Sequence, residues 1–235
     1  MRYALYFTPP VGDRLTRLAS SWLGRNAFSG KTLEPPVVTG LNAAEIAFHT
    51  AAPRRYGFHG TLKAPFSLRE GTSEAELLRA LMLFCSGLEP FEIPRLEVSR
   101  LGSFFALTPC EPHAALDNLA GRIVSEFDHF RAPLSETDIA RRNPDKLTSA
   151  QIVNLHRWGY PHVFDDFRFH MTLTGRVGAE EGARVETVLR DLFAPVLAQP
   201  VTINNIALFV ESEKGAPFSV HSLHPLGRVE NRKTG

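Results

Sequence analysis

Six residues, Phe58-His59-Gly60-Thr61-Leu62-Lys63, recur almost intact as Phe169-His170-Met171-Thr172-Leu173-Thr174, with Phe, His, Thr and Leu in register 111 positions apart. In an extended strand, side chains alternate between faces with period two. His59 and Thr61 therefore share one face, and Phe58, Gly60 and Leu62 the other. In the second copy His170 and Thr172 share one face, opposite Phe169, Met171 and Leu173. The apolar face suits a core and the polar face a cleft, with each His about 6–7 Å along the strand from its Thr. One such copy is an ordinary strand histidine. Two copies in a chain with 9 His imply two similar lobes, each giving one strand to a shared site.

The 235 residues suffice for one large domain or two small lobes. No run is apolar and long enough to span a bilayer. The opening Met1 to Phe7 is short, reaches Thr8-Pro9-Pro10, and reads as a first strand rather than a leader. The two cysteines, Cys85 and Cys110, form neither a disulfide framework nor a zinc pattern, which points to a cytoplasmic protein. A net charge of +1 gives no basic stripe for long nucleic acid, but leaves room for a small phosphorylated ligand held by a few local cations.

Apolar spacing predicts a strand at 2–7, a helix at 13–23 and a long loop with a short helix over 24–53. The first motif strand follows at 57–64, then a helix capped by Thr72 or Ser73. Strands at 91–99 and 103–107 flank a hairpin at 100–102, and a long helix covers 112–130. Ser135 and Thr148 open capping boxes for two short helices. The second motif strand covers 167–174, followed by a helix at 180–193 and strands at 201–210 and 217–223. The order after each motif is the same. The class is α+β: two pseudo-symmetric lobes of mainly antiparallel sheet, helices outside and a central cleft. The expected organisation is one bilobal domain over 1–229, a lid-like insertion at about 131–166 without a counterpart in the first half, and a polar tail at 230–235.

Paired His-x-Thr-Leu motifs on two lobes resemble the 2H phosphoesterase superfamily, which includes 2′-5′ RNA ligase-like proteins and cyclic nucleotide phosphodiesterases. Two flanking segments, Arg54-Arg55-Tyr56-Gly57-Phe58-His59 and Trp158-Gly159-Tyr160-Pro161 leading to Phe167-Arg168-Phe169-His170, resemble one branch over nearly the whole chain. That branch is associated with phosphonate metabolism and was once catalogued as a domain of unknown function. The resemblance implies a metal-independent phosphoesterase whose gene neighbours break down phosphonates. In that setting 5-phosphoribosyl 1,2-cyclic phosphate is an attractive substrate.

Opening a cyclic phosphodiester needs an activated water and a protonated leaving oxygen. Two histidines supply both, one as base and one as acid, with either assignment open. Thr61 and Thr172 can donate to the non-bridging phosphate oxygens. Lys63 continues the polar face of its strand and either attracts phosphate or is a solvated strand end. Arg54 and Arg55 either hold a distal phosphate or decorate a loop. Tyr56 either contacts ligand or packs. Arg141 and Arg142 ride on the insertion, as clamp or as surface charge. Arg168 shares the face of His170. Trp158 and Tyr160 either wall a sugar or base or anchor the lid. No metal or cofactor is expected, since the pattern makes no ligand cage, phosphate-binding loop or dinucleotide fingerprint, and Asp165-Asp166 read as turn residues. Two other readings stay open: an RNA-end 2′,3′-cyclic phosphodiesterase or 2′-5′ ligase, and a non-catalytic module that binds a phosphorylated metabolite. Monomer and weak dimer are equally open.

Overall fold

A repeated unit of strand, helices, strand, helix and two strands organises the chain. The computed structural model describes residues 1–227. The tail at 230–235 lies outside the described residues. The first unit runs β1 (Arg2–Phe7), α1 (Arg14–Leu23), α2 (Ala43–Arg54), β2 (Gly60–Phe66), α3 (Glu74–Ser86), β3 (Phe91–Ile93) and β4 (Leu96–Leu101). The second runs β5 (Phe104–Pro109), α4 (Ala114–Glu126), α5 (Glu136–Ala140), α6 (Ser149–Trp158), β6 (Met171–Thr172), α7 (Ala179–Leu197), β7 (Val201–Ile203) and β8 (Asn205–Glu211). A last strand, β9 (Ser219–Pro225), adds an edge.

The strands form one seven-stranded antiparallel sheet in the order β4-β5-β6-β2-β1-β8-β9, with β3 and β7 paired separately. The class is thus α+β, and the expected lobes are halves of this continuous sheet, not two separate sheets. Each unit's last strand crosses to the other half: β4 pairs with β5 and β8 with β1. The halves meet where β2 pairs with β6 at Gly60↔Met171. A topological two-fold passes through this junction and through the β3–β7 pair, whose midpoint is Glu92↔Thr202. Residues 131–166 then occupy the place that 24–56 hold in the first unit, between its first helix and its motif strand, so the segment has a counterpart after all.

Local signals explain most elements. Asp13 caps α1 by accepting from the Leu15 and Thr16 N–H groups, and Gly24 ends it with φ 74°. Ser73 and Glu76 form the capping box of α3, as Thr148 and Gln151 do for α6. α2 is longer than the spacing suggested. Its apolar positions are weakly periodic, but Asn42 and Glu45 make a capping box that starts it.

Alternation along β1 divides the interior. Tyr3, Leu5 and Phe7 enter the main core beneath the helices, with Leu62, Phe105, Leu107, Met171 and Leu208. Ala4 and Tyr6 point to the other face, where Ala27, Ala207, Phe209 and Phe218 make a smaller cluster. That second face carries the histidines.

Candidate active site

The junction of the two halves builds the site. With Gly60 opposite Met171, antiparallel register puts His59 opposite Thr172 and Thr61 opposite His170. Directly opposed residues have Cβ atoms about 4.5–5.5 Å apart. Each histidine thus faces the threonine of the other copy, not its own. The recesses on this face show the same exchange: His59 and Thr172 line one of about 500 Å³, and Thr61 and His170 line its neighbour of about 570 Å³, with Phe104 common to both.

The close approach depends on Gly60. A Cβ there would lie 2.4 Å from the Phe169 ring. The first motif's glycine is therefore a seat for the second motif's phenylalanine. The second motif strand is also shorter than expected. Leu173 and Thr174 both send their N–H to the Phe105 carbonyl at 2.9 and 3.1 Å, while the Leu173 carbonyl accepts from Trp22 Nε1 at 2.8 Å. The Thr174 hydroxyl accepts from the Phe105 N–H at 2.9 Å. These bonds take the place of ladder pairing beyond Thr172.

Both imidazoles are oriented in the same way. His59 Nδ1 lies 2.9 Å from the Gly57 carbonyl, and His170 Nδ1 lies 2.8 Å from the Arg168 carbonyl. A carbonyl only accepts, so each Nδ1 carries the proton and each Nε2 has a free lone pair in the neutral ring. Gly57 makes its half possible, with φ 76° and no room for a Cβ against Ala27. The surroundings differ. His59 stacks on Tyr6, with centroids 3.8 Å apart and planes at 21°, and approaches Tyr56 and Phe209. Burial pulls His59 down to about 4, against the Gly57 hydrogen bond and reinforced by repulsion from His170. His170 has only the Phe104 ring beside it, at 5.8 Å, among the aromatic contacts of the described residues.

A known family covers most of this architecture. Residues 61–219 match the family described as "Protein of unknown function (DUF1045)". The chain belongs to that family. The matched span holds Thr61, His170 and Thr172 and begins two residues after His59. Two curated relatives are named "Ribose 1,5-bisphosphate phosphokinase PhnN". The Janthinobacterium sp. (strain Marseille) protein is 38% identical over 92% of this chain and 49% of its own length, and the Laribacter hongkongensis (strain HLHK9) protein is 36% identical over 93% and 50%. The chain thus spans about half the length of these relatives. Among solved structures, one called "Crystal structure of phosphoesterase" overlays with a TM-score of 0.41 and 15% identity, covering 97% of this chain and 99% of its own. E. coli LigT complexed with 3′-AMP gives 0.40 and 13%, covering 97% and 98%.

Several expected ligand contacts of this family member lie elsewhere in the structure. Lys63 does not reach the cleft. The β1–β2 register shifts between Tyr6↔Thr61 and Leu5↔Lys63, leaving Leu62 as an extra residue and breaking the alternation. Lys63 is turned to the helix face, 3% exposed, with Nζ 3.1 Å from both Asp128 Oδ1 and the Val124 carbonyl. Burial pulls its ammonium down to about 8, against the opposing charge of Asp128. Arg54 is also occupied: its Nε donates to the Leu23 carbonyl at 2.8 Å and its Nη2 to Thr50 Oγ1 at 2.8 Å, tying α2 to the end of α1. Arg55 pairs with buried Glu211 but lines a third recess, with Tyr56, Arg141 and Arg142. Arg168 and Tyr160 line the recess of His170. Arg142 lies over the Tyr160 ring, its Cζ 4.8 Å from the centroid. Trp158 packs edge-on against Phe164 and lines a separate surface depression.

Sequence reading overlooked Tyr6, Phe104, His162 and Arg2. Tyr6 was the retrievable one, since alternation along β1 sets it on the face opposite Leu5. Arg2 becomes part of a recess only through its ion pair with Glu211, 209 positions away. Among the described residues no group of three or more His, Cys, Asp or Glu could hold a metal ion, and no helix is long and apolar enough to cross a membrane.

Proposed function

We propose that this chain is a metal-independent phosphodiesterase that opens a small cyclic phosphate ester by two-histidine acid–base catalysis. The observation that carries the reading is the crossed register at Gly60↔Met171, which gives each half of the cleft one imidazole and one hydroxyl. A phosphorus between the halves has a proton-transfer group on either side, as in-line displacement requires. His59 is the base, because burial keeps it neutral at ordinary pH with its Nε2 lone pair free. It takes a proton from water as the water oxygen bonds to phosphorus. His170, protonated, gives its Nε2 proton to the alkoxide as the ring P–O bond breaks. The product is a phosphomonoester with one new hydroxyl, and the protons balance. An anionic ester raises the basicity of His59 when it binds, because an opposite charge favours the protonated form. Thr61 and Thr172 donate to the non-bridging oxygens as their charge grows.

The relatives' name, a ribose bisphosphate phosphokinase, supports a phosphorylated ribose as the ligand class. It does not bring kinase activity with it. This chain covers half of those proteins, and its sequence has no G-x-x-x-x-G-K-S/T loop to hold a nucleotide's phosphates. The foremost substrate is 5-phosphoribosyl 1,2-cyclic phosphate. The test is phosphorus NMR of the protein with a panel of cyclic phosphates under excess chelator, with His59→Gln and His170→Gln as controls. A ring-opened product that needs both histidines is expected. Turnover that survives in both variants, or that vanishes with chelator and returns with added metal, would rule the mechanism out.

A further inference from the structure

The third recess, about 480 Å³, is lined by many charged side chains and has no role in the two-histidine chemistry. Six cations line it, Arg2, Arg55, Arg131, Arg141, Arg142 and Lys214, with Asp138 as the acid. The chain as a whole carries only +1. Three carboxylates answer the six cations. Glu211 serves both Arg2 and Arg55, Asp128 serves Arg131, and Asp138 serves Arg141. Arg142 and Lys214 have no carboxylate within ion-pair distance among the described residues.

The Glu211 arrangement matters most. Its side chain is fully buried, and although burial favours the neutral acid, hydrogen bonds from Arg2, the Gly215 N–H and Arg55 hold it at about 2. One carboxylate thus fixes two guanidinium groups at the rim, neutralises one of them and leaves the second charge for a ligand. Guanidinium forks suit phosphate oxygens.

The recess adjoins the reacting centre. Tyr56 lines it and also lines the recess of His59, with the two ring centroids 6.2 Å apart. The 132–142 segment also lines it, supplying Asp138, Arg141 and Arg142. A recess of this size lined by several cations suits a terminal phosphate on a sugar-sized scaffold, whereas a nucleic-acid backbone needs a continuous basic track.

We infer that this recess binds a second, terminal phosphate group of the substrate, so that the preferred ligand is a cyclic phosphate ester carrying an additional phosphomonoester, bridging the catalytic strands to the 132–142 segment. The inference rests on the phosphodiesterase reading of the neighbouring cleft, and its test separates the two. The probe is ribose 5-phosphate, which has a terminal phosphate and no cyclic ester to open. Calorimetric titration should show salt-sensitive binding, weakened about tenfold or more in an Arg142→Ala/Lys214→Ala double variant. Both residues reach the surface, and Arg142→Lys should restore part of the loss. Binding should persist in His59→Gln/His170→Gln, and hydrogen exchange of 132–142 should slow when the probe is bound. If the probe binds through Arg142 and Lys214 but no cyclic ester is opened, the recess stands and the phosphodiesterase reading falls. If cyclic esters are opened without preference for an additional phosphate, or if the probe binds the double variant as well as the parent, the inference is overturned while the catalytic reading stands. Absence of probe binding at millimolar concentration overturns it as well.

Discussion

The two copies of the motif share a backbone device and differ in what surrounds it. In each, a carbonyl two residues upstream fixes the imidazole through Nδ1. The first copy then enters a seven-residue strand and has its histidine under Tyr6; the second enters a two-residue strand and has an open side lined by His162 and Arg168. The repeat supplies two similarly oriented imidazoles, and packing gives them different surroundings. Burial holds the His59 imidazole neutral without any charged partner, and in the proposed mechanism this sets the base apart from the acid.

Replacing either histidine with Gln attacks this comparison most severely. Each should lower kcat by about 10²–10⁴-fold with secondary structure unchanged by circular dichroism. Because the pair acts as a unit, the double variant should be little worse than the weaker single one. A dispensable histidine in either copy would end the idea of divided labour. Thr61→Val and Thr172→Val should each cost about 10²–10³-fold in kcat with little change in KM. The crossed register sharpens this further: a double-mutant cycle should couple His59 to Thr172 more strongly than to Thr61. Stronger coupling within a copy would contradict the register.

Stability against pH reads the packing of His59 directly. His59 takes up a proton near its ordinary value of about 6.5 in the unfolded chain, but near 4 in the folded one. Between those values the unfolded state binds more protons, so its share of stability is intact above about 6.5 and falls by about 1.4 kcal/mol per pH unit as pH drops towards 4. Denaturant midpoints over that window should include this contribution, and His59→Gln should remove it while leaving that of His162 and His224, which burial also pulls down. Gly60→Ala should cost about 1–3 kcal/mol by driving a methyl into Phe169, and should reduce activity because the motif strands are forced apart. An unaffected melting temperature would mean the junction is looser than described. The smallest effect is Lys63→Met, about 1–2 kcal/mol of stability with KM unchanged, since Asp128 keeps Arg131. A raised KM would return Lys63 to the ligand.

Much of this was legible in the chain. The repeat gave the motif strands, period-two alternation gave the faces, apolar spacing placed α1, and capping residues placed α3 and α6. The limits have physical causes. Alternation cannot foresee a bulge, so Leu62 reversed the expectation for Lys63. Arg54 and Arg55 are neighbours of one type, yet a helix end took the first and a buried carboxylate 156 positions away took part of the second. The segment 131–166 looked unmatched because its charged composition hides a topological equivalence with 24–56. Crossed pairing of the motifs is a tertiary fact, since either strand alone would place a histidine beside its own threonine.

The most direct measurement is an NMR titration of the two imidazoles in the intact protein, with His59→Gln and His170→Gln used to assign the signals. The account predicts that His59 stays neutral, protonated at Nδ1, until pH approaches about 4, and that phosphate ester binding moves its titration upward. A His59 that titrates near 6.5 in the free protein, or one protonated at Nε2 when neutral, would contradict it.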